Sequence, residues 1–173
     1  MSLYLHGLGH FHSEVEISNS FLEELDIGTS KEWILERVGI ETRRTVMPLD
    51  YIRDTRNADP SVALEAALYS HADTGKQAAE MALRRAGVDK DQIDLVIAGS
   101  SRPEMSSPAD ACAIADALEL EVPSFDVNSA CTSFFAGVNV LSMMRPQALP
   151  PYVLLVAADV MTRTVDYNDR ASA

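Results

Sequence analysis

The chain has 173 residues, 47% apolar and 23% charged, a balance that supports a globular protein with a real core. A formal net charge of −12 excludes a general nucleic-acid surface, which needs a basic patch. No apolar run approaches the roughly eighteen residues of a membrane span. Met1 to His6 lacks the basic region and apolar block of a signal peptide, so a cytoplasmic location is expected.

In chain order, Leu3 to Gly9 reads as a strand entering a glycine turn. Gly7-Leu8-Gly9 lacks the third glycine of a dinucleotide fingerprint, so close packing is the preferred reading. His6, His10 and His12 share one parity, but no acidic or cysteine ligand completes a metal set. Ser18-Asn19-Ser20 opens a helix with Phe21, Leu22 and Leu25 on one face. A second helix, capped by Thr29 or Ser30, runs through Trp33 and Arg37 and ends at Gly39. Trp33 and Arg37 are four apart and share a face; they form either a core anchor or a stacking platform beside a phosphate-binding cation. On the residues alone the core reading leads. Arg43-Arg44 reads as a solvated face.

Met47 to Pro60 reads as irregular, and Ser61 as the cap of a helix over Val62–Tyr69 with Leu64, Ala67 and Leu68 on its stripe. Gly75–Ala86 follows as a helix, with Ala79, Ala82, Leu83 and Ala86 on one face and Gly87 as terminator. Ile93–Ala98 is a buried parallel strand. Ser107 caps the next helix, with Pro108 at its first position and a stripe of Ala111, Ile114, Ala115 and Leu118; Cys112 is taken as packing. After the strand Ser124–Val127 comes a tight turn holding Cys131. An apolar helix follows, with Phe134, Phe135, Val138, Val140 and Leu141, apolar nearly all round and expected to be buried. Tyr152–Ala157 is a further buried strand. This alternation predicts an α/β fold with a mostly parallel sheet flanked by helices.

Cys131 stands where a helix begins, beside unpaired N–H groups and the positive end of the helix dipole, and both favour thiolate over thiol. No Lys or Arg lies within ten residues on either side, so any activation comes from the backbone. Free cysteine is commonly buried and inert, so the position alone leaves both readings open. With two cysteines outside any C-x-x-C pair, neither a disulfide framework nor a zinc motif is read.

Three segments together resemble the 3-oxoacyl-(acyl-carrier-protein) synthase III group of the thiolase superfamily, in its N-terminal half. Glu32 to Arg44, beginning Glu-Trp-Ile-Leu-Glu-Arg-Val-Gly-Ile, is similar to its N-terminal signature. Phe125-Asp126-Val127-Asn128-Ser129-Ala130-Cys131 is similar to its nucleophile turn, and Ala158 to Thr164 with Asp169-Arg170 to the strand and loop that follow. The resemblance implies a thiolase-like fold, with residues 1–173 as one half and an extra segment at about 50–71. It implies that Cys131 takes an acyl group as a thioester, and that its N–H contributes to an oxyanion hole. It implies that Thr29, Trp33, Arg37 and Arg170 line a coenzyme A entrance, and it assigns Ser107 and Met161 to the acyl pocket. Where the group often has a bulky aromatic before Pro108 this chain has Ser107, so acyl-chain length does not carry over.

The implied reaction is decarboxylative Claisen condensation with a malonyl thioester. No metal or redox cofactor is expected, and acyl-CoA or acyl-ACP and acyl carrier protein are the partners. A homodimer is implied, and a C-terminal half carrying the catalytic His and Asn. Acyl transfer to an oxygen or nitrogen acceptor is a rival reading, as is a non-catalytic subunit.

Overall fold

The computed structural model describes residues 3–173. It divides into two compact units, one formed by residues up to Phe11 with His71–Asp159, the other by His12–Ser70 with Val160–Ala173.

The first unit is built on three parallel strands, β3 (Leu95–Gly99), β4 (Ser124–Asp126) and β5 (Val153–Ala157), in the order β4-β3-β5. Val96 pairs with Ser124 on one side and Leu154 on the other. Successive side chains of a strand face opposite ways, and the central strand β3 is buried on both faces. Val96 and Ala98 pack with Leu154 and Val156 against α5 (His71–Ala86) and α6 (Asp110–Ala117). Leu95 and Ile97 pack with Leu141 of α7 (Ser133–Met143), backed by Val153 and Leu155. The two faces follow from handedness. The step β3→β4 runs one way across the sheet and β4→β5 the other, so right-handed crossovers put α6 and α7 on opposite sides. The α/β class with a parallel sheet flanked by helices is therefore observed.

Several sequence expectations are corrected in this unit. Residues 3–9 form no strand. Gly7 and Gly9 do pack closely, but against a helix: a Cβ on Gly9 would collide with the Ala78 carbonyl of α5, and one on Gly7 with that of Ala82. α6 starts at Asp110, with Ala109 at the cap position, and Ser107 does not cap it. The Asp126 carboxylate of β4 does so instead, accepting from Asp110 N–H at 3.0 Å and Ala111 N–H at 2.9 Å. The stripe Ala111, Ile114, Ala115 and Leu118 is buried as its spacing predicts. Cys112 lies off that stripe and is exposed rather than packed. α7 is not buried all round: Ser133, Gly137 and Leu141 face inward, whereas Phe135 is 72% exposed and Met143 68%.

The second unit has its own core of Ile17, Phe21, Leu22, Leu25, Ile34, Met47, Ile52 and Tyr167. Burial in it pushes the Tyr167 hydroxyl up to about 12. α1 (Asn19–Glu24) is capped by Ser18, whose hydroxyl accepts from Phe21 N–H. α2 (Lys31–Val38) is capped by Ser30 and closed by Gly39 at φ +72°. Two short strands, β1 (Glu16–Ser18) and β2 (Thr42–Arg44), pair antiparallel and fall outside the sequence reading. Arg43 and Arg44 belong to β2 and are engaged, not merely solvated. Arg43 donates to Asn19 Oδ1 at 2.7 Å, and Arg44 pairs with Glu16 at 3.3 Å.

The segment read as irregular holds α3 (Leu49–Thr55), whose Ile52 is fully buried. The expected helix Val62–Tyr69 shrinks to α4 (Ala63–Ala66). Ser61 is drawn off by Asp59, and the inward residue is Ala63, with Leu64 and Leu68 exposed. Residues 50–70 are thus tied into this core through Ile52, Ala63 and buried Asn57, which donates to the Arg163 and Val165 carbonyls at 2.9 Å, whereas His71 begins α5 of the first unit. No helix among the described residues is long and apolar enough to cross a membrane.

Candidate active site

The strands of a parallel sheet end together, and the loops after them form a crevice wherever neighbouring strands send their next helices to opposite faces. β3 and β4 are such a pair. Cys131 lies just past the end of β4, exposed, within a single 3₁₀ turn (Ala130–Thr132) that leads into α7. Ala130 holds φ +48°, a left-handed conformation that a non-glycine residue adopts at a cost. The turn is over-determined by its neighbours. Ser133 Oγ accepts from Ser129 N–H at 2.8 Å and shares its one proton between the Ala130 carbonyl at 2.7 Å and the Ser100 carbonyl at 3.2 Å. Asn128 Oδ1 accepts from Ser100 N–H at 3.0 Å.

Gly99 makes that approach possible. A Cβ there would stand 2.6 Å from the Val127 carbonyl and 2.7 Å from Ser133 Cβ. Among the described residues the Cys131 N–H meets no acceptor, and the Ser100 hydroxyl is buried without a partner. A thiol on a fixed turn with an unspent N–H can attack an acyl carbon and hold the resulting oxyanion. Asn128, Ser133, Gly99 and Asp126 were not singled out as functional in the sequence. The signal for Asn128 and Ser133 is the run of small polar residues around Cys131, which here accept from the Ser100 and Ser129 N–H groups; Gly99 and Asp126 lie outside that run.

The second unit gathers the residues assigned to an entrance. Trp33 is 39% exposed on α2, which removes the core-anchor reading. The Arg170 guanidinium lies 4.9 Å from the Trp33 ring centroid and donates to the Gly28 carbonyl at 3.0 Å. Thr29, next along, has a buried hydroxyl without a partner among the described residues. Arg37 is exposed one helical turn beyond Trp33. Ser107 and Met161 are both exposed, but Ser107 precedes α6 in the first unit and Met161 opens a 3₁₀ turn in the second. Among the described residues no cluster of three or more His, Cys, Asp or Glu is placed to hold a metal.

Comparison with known proteins bears on these sites. The sequence profile described as 3-oxoacyl-[acyl-carrier-protein (ACP)] synthase III matches residues 125–173, which include the Cys131 turn and Arg170. Over 171 residues the chain is 33% identical to the beta-ketoacyl-[acyl-carrier-protein] synthase III of Syntrophomonas wolfei, matching 98% of this chain and 46% of that protein. The chain is similar to the N-terminal half of beta-ketoacyl-ACP synthase III. The enzyme of that name from Chlamydia caviae is 34% identical over 94% of this chain and 43% of its own length. The crystal structure of the Aquifex aeolicus 3-oxoacyl-ACP synthase III superposes with a TM-score of 0.75 at 27% identity, over 96% of this chain and 48% of that one. The priming beta-ketosynthase of the R1128 polyketide pathway gives 0.75 at 28%, over 96% and 44%. The chain thus has the thiolase-like fold of the synthase III proteins and spans about half the length of the curated relatives it matches.

Proposed function

We propose that this chain is the nucleophile-bearing half of a beta-ketoacyl synthase III-type condensing enzyme. The observation that carries the reading is the exposed Cys131, on a fixed turn at the switch point of the sheet, with its own N–H unspent among the described residues. The thiolate attacks the carbonyl carbon of an acyl thioester, and backbone N–H groups hold the tetrahedral oxyanion. Collapse expels the carrier thiolate, which takes up a proton, and leaves acyl-Cys131.

A malonyl thioester then loses carbon dioxide. Its carbanion attacks the acyl carbon, and the Cys131 thiolate departs. In the synthase III group the His and Asn that support decarboxylation belong to the other half of the fold. His71, the one buried histidine among the described residues, is bonded to Asp110. In this reading Trp33 stacks on the adenine of coenzyme A, and Arg37, Arg170 and the unpartnered Thr29 hydroxyl meet its phosphates. The family resemblance assigns Ser107 and Met161 to the acyl pocket. Acyl-CoA or acyl-ACP, a malonyl thioester and acyl carrier protein are the partners, without a metal or redox cofactor. A cytoplasmic homodimer completes the proposal.

The test is the mass of the Cys131 and Cys112 peptides after exposure to a panel of acyl thioesters. The expected result is one acyl group on Cys131, none on Cys112, and none in Cys131→Ser. Acylation is expected to stop at one equivalent per chain. No adduct from any thioester overturns the reading, and repeated turnover by the 173-residue chain overturns the assignment of decarboxylation to the other half.

A further inference from the structure

Asp126 ends β4, five residues before Cys131, and spends both carboxylate oxygens on the first N–H groups of α6. The first side chain of that helix, Asp110, is buried and continues the chain of contacts. Its Oδ1 accepts from Glu104 N–H at 3.2 Å, and its Oδ2 lies 3.0 Å from Nδ1 of His71, itself buried at the start of α5. A carboxylate only accepts, so Nδ1 of the His71 ring is the donor in this bond. His71 N–H donates in turn to Glu104 Oε2 at 3.2 Å. Three bonds therefore tie His71, Asp110 and Glu104 together, and Asp110 joins them to Asp126.

Buried polar groups of this kind have one low-energy arrangement, because a lost partner leaves a desolvated charge behind. The aliphatic core beside them has no such directional demand. α6 already packs through Ala111, Ile114, Ala115 and Leu118, so its hold on the sheet does not depend on a buried carboxylate. What the polar chain adds is the angular position of the end of β4.

We infer that His71, through Asp110 and Asp126, positions the Cys131 turn. His71 and Asp110 are positioning residues in this reading: neither touches the thiol, and they act by fixing the strand end from which the turn departs. The inference rests on the reading of Cys131 as nucleophile.

The test compares His71→Asn with His71→Gln in the full 173-residue chain. An asparagine amide can put an N–H near where Nδ1–H stands, whereas a glutamine amide reaches past it toward the position of Nε2. Iodoacetamide alkylation of Cys131 is followed by peptide mass at neutral and alkaline pH, with exposed Cys112 in the same chain as reference. His71→Gln is expected to slow Cys131 alkylation at neutral pH by roughly tenfold, about one decade of rate constant. The alkaline rate and Cys112 should stay near the parent values, and His71→Asn should restore most of the loss. Asp126→Asn, which removes one of the two capping oxygens, is expected to resemble His71→Gln.

Equal Cys131 rates in folded His71→Gln and His71→Asn overturn the proposal. So does a parallel change in both cysteines, which marks general loosening. If the histidine variants do not fold, Asp126→Asn alone decides by the same ratio. If none of the three folds, the network holds the unit together and does not specifically set the turn, which also overturns it. No acyl thioester enters this assay, so failure of the condensing-enzyme reading and failure of the positioning role are seen separately.

Discussion

At the scale of single residues, Trp33 is where sequence and structure bear most directly on ligand binding. A tryptophan committed to a core does not remain 39% exposed, and it does not carry an arginine at 4.9 Å over its ring. That contact orders Arg170, which the Gly28 carbonyl holds from the other side, and the ring and a cation are presented together. Trp33→Ala is expected to weaken coenzyme A binding by about 1–3 kcal/mol, the range for a base stacked on an aromatic ring. The cost to folding should be under about 1 kcal/mol, because the lost contact is an exposed cation–π pair. Calorimetric titration and a melt of the same sample separate the two. Loss of the fold with no separate binding loss would return Trp33 to the core. The sequence showed the i, i+4 spacing of Trp33 and Arg37 directly. Arg170, far along the chain, came to the same entrance only through the family resemblance, because its contact with the ring is tertiary and has no local signature.

At the scale of elements, legibility followed burial. β3 and β5 read clearly as apolar runs, the mark of a buried parallel strand, and α6 because its apolar periodicity matches its inward face. α3 was hidden by Pro48 and by a polar composition, although one buried residue, Ile52, suffices to dock it. β1 and β2 are three residues each, too short to show an alternation, and are fixed by their pairing together with the buried Ile17 and the bonds of Arg43 and Arg44. The expected strand at Leu3–Gly9 failed because glycines that allow close approach look alike in sequence whether the neighbour is a strand or a helix.

The junction of β3 with α7 depends on one such glycine. At Gly99 an added methyl meets the Val127 carbonyl, and Val127 N–H is itself bound to the Ala98 carbonyl at 2.7 Å, so the backbone has no slack. Gly99→Ala is therefore expected to cost about 1–3 kcal/mol, the usual range for overpacking. It should also pull Ser100 N–H from Asn128. Urea melts give the first, and the Cys131 alkylation rate reports the second. An unchanged midpoint would show that the turn yields more easily than its bonds imply.

At the scale of the whole molecule, surface apolarity and net charge oppose each other. α7 presents Phe135, Val138 and Met143 to solvent, and Phe125 is exposed on β4, an edge strand of its sheet. Exposed groupings of large apolar side chains favour association, and each such side chain covered contributes about 1.5–3 kcal/mol. Against this stands a net charge of −12, which repels a second copy over distances that salt shortens to about 8 Å at physiological ionic strength. Apolar burial acts on contact and is not screened. Self-association of the 173-residue chain is therefore expected to strengthen as sodium chloride is raised, the reverse of an interface made of salt bridges. Phe135→Ser combined with Met143→Ser should shift the chain to monomer at every salt concentration. The melting temperature should change little, since neither side chain faces the core. Sedimentation velocity across protein and salt concentration reads both effects. Association that weakens with salt, or that survives the double substitution in a folded chain, would show that another surface holds the copies together.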